Sequence, residues 1–100
     1  MRRRKKRSRG ESNPRNIPDV ISLTSLREGE IGVLAYSIGG LGLVRRLAEM
    51  GLTPGVKVEI LRKGPLHGPL EIQVRGVSLA LGRGVASRVF VKRLRIESNG

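Results

Sequence analysis

The chain has no cysteine and no tryptophan, and Tyr36 and Phe90 are its only aromatic residues. Without cysteine there is no disulfide staple, no thiolate nucleophile and no cysteine-ligated zinc, a composition that suits a reducing compartment such as the cytoplasm. With two aromatics in 100 residues, the core must be aliphatic, and the stacking platforms that hold single-stranded nucleic acid are scarce. Long apolar runs are lacking too. The longest uncharged stretch, Ile31 to Val44, is fourteen residues with four glycines, short of the roughly 20 apolar residues that cross a bilayer. The N-terminal "MRRRKKRSRG" has the charge of a secretory leader, but "ESNPRNIPD" follows where an apolar segment would stand, so secretion is not supported.

Catalytic patterns are equally sparse. No Ser, His and Asp fall at a spacing that suggests a triad, no glycine loop ends in Lys-Ser or Lys-Thr, and the carboxylates are scattered. "GGLGL" before a helical stretch is better explained as a tight bend than as a phosphate cradle. The one histidine, His67, has Glu71 four positions on. Two such residues are weak metal candidates, because a site in water needs three or four convergent ligands. Two copies of the chain would have to pool theirs. The expectation is therefore no enzyme and no resident cofactor, with at most an adventitious divalent metal.

Positive charge is abundant and unevenly placed. Of the formal net charge of +12, residues 1–16 hold +7, with Arg2, Arg3, Arg4, Lys5, Lys6, Arg7 and Arg9 at their head. A run of like charges without apolar residues cannot repay the entropy of ordering, so residues 1–16 are predicted to be a disordered basic tail, with the folded domain over 17–97. Such a tail binds polyanions, whether nucleic acid or an anionic lipid leaflet; the bland alternative is a solubilising extension.

Within the domain, Ser25 and Glu28 have capping-box spacing for a short turn that points Leu23 and Leu26 inward. "EIGVLAYSI" alternates, with Ile31, Val33 and Ala35 facing one way and Gly32, Leu34 and Tyr36 the other, and predicts a strand. From Leu41 to Met50 the period changes to that of a helix, with Val44, Leu47 and Ala48 on one side and Arg45, Arg46 and Glu49 on the other. Gly51 and Leu52 fit a Schellman ending in which Leu52 meets Leu47, and Thr53 to Val56 fits a type II turn. "VKVEILR" predicts a second strand, "LEIQVRGVSLAL" a hairpin turning at Arg75-Gly76, and "SRVFVKRLRI" a last strand through Val89 and Val91. Gly82 and Gly84 interrupt the pattern between them. About five short strands, one short helix and no βαβ repeat predict a mostly β fold, a small antiparallel barrel or sandwich with the helix as an insertion.

The run "LVRRLAEMGLTPGVKVEILRKGPLHGPLEIQVRGVSLAL", Leu43 to Leu81, resembles the ferrous-iron transport protein A family, as does "SLTSLREGEIGVL" upstream. The matching features are a helix with paired arginines, Thr-Pro-Gly, an alternating strand, a Pro-Leu loop, and "VRG" before "LAL". The resemblance implies an SH3-like barrel with an inserted helix, related in fold to the C-terminal domain of metal-dependent repressors. It implies a cytoplasmic accessory protein of ferrous-iron uptake that acts with ferrous-iron transport protein B, a large membrane GTPase, and touches Fe2+ at most transiently. The chain departs from the pattern at "GRGVAS", Gly82 to Ser87, where the family commonly has a charged turn, and in its basic N-terminus.

Arg45, Arg46, Glu49, Met50 and Leu52 are the candidate partner-binding residues; the plain alternative is a solvated helix face with an Arg45–Glu49 pair at i, i+4. Function is expected to be non-enzymatic binding and modulation of the transporter, with the tail near the anionic inner leaflet. Nucleic-acid binding by a basic SH3-like barrel, associated with RNA or the ribosome, ranks behind it. A stand-alone metal-sensing domain would need ligands that the sequence does not show.

Overall fold

Apolar and polar side chains alternate along most of the domain. In the computed structural model, which describes residues 19–94, that alternation becomes a single six-stranded antiparallel sheet. The strands are β1 (Val20–Ser22), β2 (Ile31–Ser37), β3 (Lys57–Lys63), β4 (Leu70–Val74), β5 (Val77–Leu81) and β6 (Val89–Arg93), in the spatial order β1-β6-β2-β3-β4-β5. Two helices interrupt them: α1 (Leu41–Glu49) between β2 and β3, and the single turn α2 (Arg83–Ala86) between β5 and β6. The basic tail, and the outer limits of the domain at residues 17 and 97, lie outside the described residues.

The mostly β fold with an inserted helix matches expectation, with six strands where about five were predicted. β1 is the addition. Three residues are too few to show a period, and Val20–Ser22 becomes a strand only because β6 lies alongside, with Ile21 opposite Val91. The 3₁₀ turn at Leu23–Ser25 does send Leu23 and Leu26 inward, but its cap is Ser22, whose hydroxyl accepts from Thr24 N–H at 3.3 Å. Glu28 does not cap it. The Glu28 carboxylate accepts from the backbone N–H of Lys63 at 2.8 Å instead, tying the turn to the end of β3. "GRGVAS" is helical where the sequence suggested only a break, because Ala86 is fully buried and draws the segment into a turn over the core.

One aliphatic core fills the concave side of the sheet. Leu34 of β2, Val58 and Ile60 of β3, Ile72 and Val74 of β4, Leu81 of β5, and Val89 and Val91 of β6 all point into it. Side chains at alternate positions share a face, so each of these strands contributes every second residue. Gly32 is required at its site: a Cβ there would stand 2.7 Å from Cγ2 of Val91, so this strand can cross β6 closely only without one. Two register shifts, at Leu34/Tyr36 against β6 and at Ile60/Arg62 against β4, bend the sheet. The first also switches faces. Leu34 pairs with Val91 in the core, whereas Tyr36 pairs with Phe90 on the convex side, where their rings stack at 5.2 Å beside Val20.

Candidate docking surface

α1 is set on the barrel by its C-terminal stop. Gly51 takes φ +89°, the Leu52 N–H donates to Leu47 C=O at 2.9 Å and the Gly51 N–H to Ala48 C=O at 2.9 Å, the two bonds of a Schellman ending. Leu47 and Leu52, 1% and 3% exposed, close it in the core. The Val56 N–H then donates to Thr53 C=O at 3.1 Å across a turn with Gly55 at φ +94°, as the sequence predicted for a type II turn. These bonds fix the direction of the helix relative to β3.

The faces of α1 differ from the predicted ones. The inner face is Leu43, Leu47 and Met50, at i, i+4 and i+7, packed on the core. Val44 and Ala48, expected inside with Leu47, are outside: Leu41 is 79% exposed, Val44 41%, and Arg45 and Ala48 lie on the same exposed strip at i+4 and i+7 from Leu41. The sequence pattern allowed either set, since Leu43, Val44, Leu47 and Ala48 form one continuous apolar arc of about 140° at 100° per residue. The Schellman contact through Leu52 selects the inner one by anchoring Leu47.

Of the candidate partner-binding residues, Arg45, Arg46 and Glu49 are exposed, Met50 is half-buried against the core, and Leu52 is a core residue that no partner can reach. The expected Arg45–Glu49 pair is not among the ion pairs of the described residues, which are Arg62–Glu71 at 3.5 Å and Arg93–Glu30 at 3.4 Å. The surface therefore combines a solvent-facing apolar strip with guanidinium groups that pair with no carboxylate among the described residues. Ile38, partly exposed, extends it at the helix start, where its N–H donates to the Arg88 carbonyl at 2.8 Å. Arg75 extends it at the other end, with its Cδ 3.8 Å from where a Cβ on Gly51 would stand. Sequence reasoning missed Leu41, Val44 and Arg75. Helical phase alone could not separate the two faces, and the approach of Arg75 to Gly51 depends on the β4–β5 hairpin lying beside the helix end.

The metal candidates stay apart in role. Glu71 pairs with Arg62, and His67 is exposed at a turn tip. Among the described residues, no group of three or more His, Asp or Glu could hold a metal ion. The tip has a peculiarity of its own: Leu66 (φ +57°) and His67 (φ +59°) both take left-handed dihedrals between Pro65 and Gly68, and Leu66 is 95% exposed. At the far end of β3, the Lys63 ammonium donates to the Thr24 carbonyl at 2.8 Å. Burial, and next the Arg83 guanidinium, hold it below the usual lysine range, while Glu28 and Glu30 pull the other way. No helix of the described residues is long and apolar enough to cross a membrane.

A curled antiparallel sheet with a helix inserted after β2 defines a small SH3-like barrel, and known proteins of that shape narrow it further. The FeoA domain family model matches residues 21–93, and the chain belongs to that family, which is involved in ferrous-iron transport. It is 33% identical over 70 residues to a protein of Methanocaldococcus jannaschii assigned by name to Fe(2+) transport protein A, covering 70% of this chain and 83% of that one. Among solved structures, an iron uptake regulatory protein named FeoA is 39% identical with a TM-score of 0.70, over 75% of this chain and 99% of that one. The FeoA of Stenotrophomonas maltophilia, solved with zinc and described as an SH3 domain protein, is 29% identical with a TM-score of 0.64, over 75% and 96%. A manganese-dependent transcriptional repressor shares the fold alone, at 20% identity and a TM-score of 0.71 over 78% of this chain and 44% of that one.

Proposed function

We propose that this chain is a non-enzymatic accessory of ferrous-iron uptake. In this reading it docks on the cytoplasmic part of ferrous-iron transport protein B through the outer face of α1 and modulates that partner's nucleotide hydrolysis or assembly. The observation that carries the proposal is the exposed strip of Leu41, Val44, Arg45 and Ala48 on a helix whose other face is locked into the core. A rigid element that keeps apolar side chains and an unpaired arginine in solvent has the composition of a protein interface. Iron is then the cargo of the partner rather than a ligand of this chain. The basic tail would hold the protein near anionic lipid, at about 1 kcal/mol for each basic residue close to the surface.

Nucleic-acid binding gains no support from the barrel. Tyr36 and Phe90 stack on each other and are buried, leaving no aromatic platform for a base.

The test is co-purification of tagged protein from membranes of iron-starved cells. Wild-type protein is expected to bring down the transporter, and a Leu41→Ser, Val44→Ser, Arg45→Glu variant of unchanged fold is expected to lose it. Recovery of ribosomes or RNA in place of the transporter would overturn the proposal.

A further inference from the structure

The two edges of the sheet are not alike. β1 is three residues long, and Val20 within it is already engaged. β5 is five residues long, pairs with β4 in continuous register from Val74↔Val77 to Leu70↔Leu81, and makes no backbone hydrogen bond on its other side among the described residues. The Arg75-Gly76 turn, at φ +53° and +80°, is a two-residue primed hairpin, so the flanking Val74 and Val77 form the hydrogen-bonded pair. By alternation Leu79 and Leu81 also bond to β4, and the N–H and C=O groups of Ser78 and Ala80 point away from the sheet.

Edges of this kind are normally blunted by lysine, proline or a bulge. "VSLAL" has no charge and no proline, and its pairing with β4 has no register shift. Charge is instead placed at its ends. Arg75 precedes it, and Arg83 follows it, with Lys63 close enough to Arg83 for the two charges to be felt. The Nε of Arg83 is buried without a hydrogen-bond partner among the described residues. No acidic residue lies between 72 and 96. A recess of about 360 Å³ lies over the β3–β4 end of the sheet, lined by Arg62, Lys63, Pro65, Pro69 and Glu71 among others, and reaches β5 at Ala80.

We propose that the β5 edge accepts an extended segment of a protein partner by strand addition, and that this segment has a small apolar centre flanked at both ends by Asp or Glu. Main-chain bonds to Ser78 and Ala80 supply the pairing, the recess beside Ala80 takes a side chain, and Arg75 and Arg83 clamp the flanking carboxylates. The charges also argue against self-pairing. In the antiparallel register that pairs Ser78 of one copy with Ala80 of the other, the Arg75 end of one copy lies toward the Arg83 end of the other, and like charges brought together are destabilising. The inference rests on reading the chain as a docking module for a protein, and it lengthens that surface, because Arg75 stands at both the α1 end and the β5 end.

The experiment uses the full chain and three designed peptides that share a Val-Thr-Val-Thr-Val centre: one flanked by Glu-Glu, one by Lys-Lys, and the Glu-flanked one N-methylated at alternate backbone nitrogens. The Glu-flanked peptide is expected to bind with amide shifts centred on Ser78 and Ala80, and the other two to bind at least about tenfold more weakly, the loss expected when charge-assisted or main-chain bonds go. Arg75→Glu with Arg83→Glu should reverse the preference between Glu and Lys flanks. Ala80→Pro, checked for folding by its thermal transition, should abolish binding, and the N-methylated peptide gives the same answer if that variant does not fold. Equal binding of all three peptides, shifts confined to α1, or a concentration-dependent dimer that Ala80→Pro dissolves would each overturn the proposal. If the Glu-flanked peptide does not bind and wild-type protein still recovers the transporter from membranes, the strand-addition site is wrong and the accessory reading stands. If the peptide binds as expected and wild-type protein recovers no transporter, the strand-addition site stands and the accessory reading falls.

Discussion

The two faces of α1 are built from the same aliphatic residue types and have opposite fates. Leu43 and Leu47 are drawn into the core, whereas Leu41 and Val44, a few residues away on the same helix, stay in water. Composition does not separate them. What separates them is the Schellman ending, which turns the chain so that Leu52 meets Leu47 beneath the helix. The comparison teaches that an apolar residue on this helix is either a core residue or a solvent-facing one according to helical phase, and the two classes should respond to substitution in different assays.

The largest effect belongs to the inner face. Leu47→Ala is expected to cost about 2–5 kcal/mol, the range for a leucine truncated in a packed core, read from urea unfolding. A cost as small as that of a surface change would mean that α1 is not docked as described. Next comes the device that sets the phase. Gly51→Ala puts a Cβ on a residue with φ +89° and nothing closer than 3.8 Å, so the strain is conformational and should cost about 1–2 kcal/mol. The helix should also loosen, which amide exchange of Leu52 would report as faster opening.

A gain is expected at the Pro65–Gly68 tip. Leu66→Asn with His67→Gly relieves two left-handed residues at a primed turn, and should raise stability by about 1 kcal/mol in thermal unfolding. If stability falls instead, the exposed Leu66 makes contacts that its 95% exposure does not suggest. On the outer face of α1, Leu41→Ser and Val44→Ser should change stability by no more than about 0.5 kcal/mol, as surface positions do, while reducing recovery of the transporter. A stability loss comparable to that of Leu47→Ala would erase the distinction between the faces.

The smallest effect is a matter of pH. Lys63 has its ammonium held below the usual lysine range, first by burial and then by Arg83. In the window between that lowered value and the usual one, the unfolded chain binds more protons than the folded one. The penalty is therefore full below the window, and stability rises as pH climbs through it. Lys63→Gln should remove that rise, so that wild type gains on the variant toward alkaline pH in parallel urea titrations. A difference between the two that is constant with pH would show that the group is not perturbed.

Much of the fold was legible along the chain. Alternation in "VKVEILR", the Arg75-Gly76 turn, and the sequence "EMGLTPG" with its stop and its turn each depend on contacts within a few residues, and each took the form its residues demanded. The candidate site was less legible. Arg45, Arg46 and Glu49 were correctly placed outside, but Leu52 was assigned to the docking edge and Val44 to the interior. Phase ambiguity accounts for Val44, and for Leu52 the same contact that ends the helix also buries the residue.

The sequence by itself determined the aliphatic core, the turn chemistry, the basic balance and the family, because these rest on residue types and short spacings. Only the tertiary structure decided which edge strand lacks a further partner among the described residues, which side of α1 meets water, and that Arg75 and Arg83 bracket that strand. Those depend on which strands become neighbours, and the strand order β1-β6-β2-β3-β4-β5 brings residues some seventy positions apart into register, as with Val20 and Lys92. Local propensity carries no record of that pairing; burial of the shared core selects it.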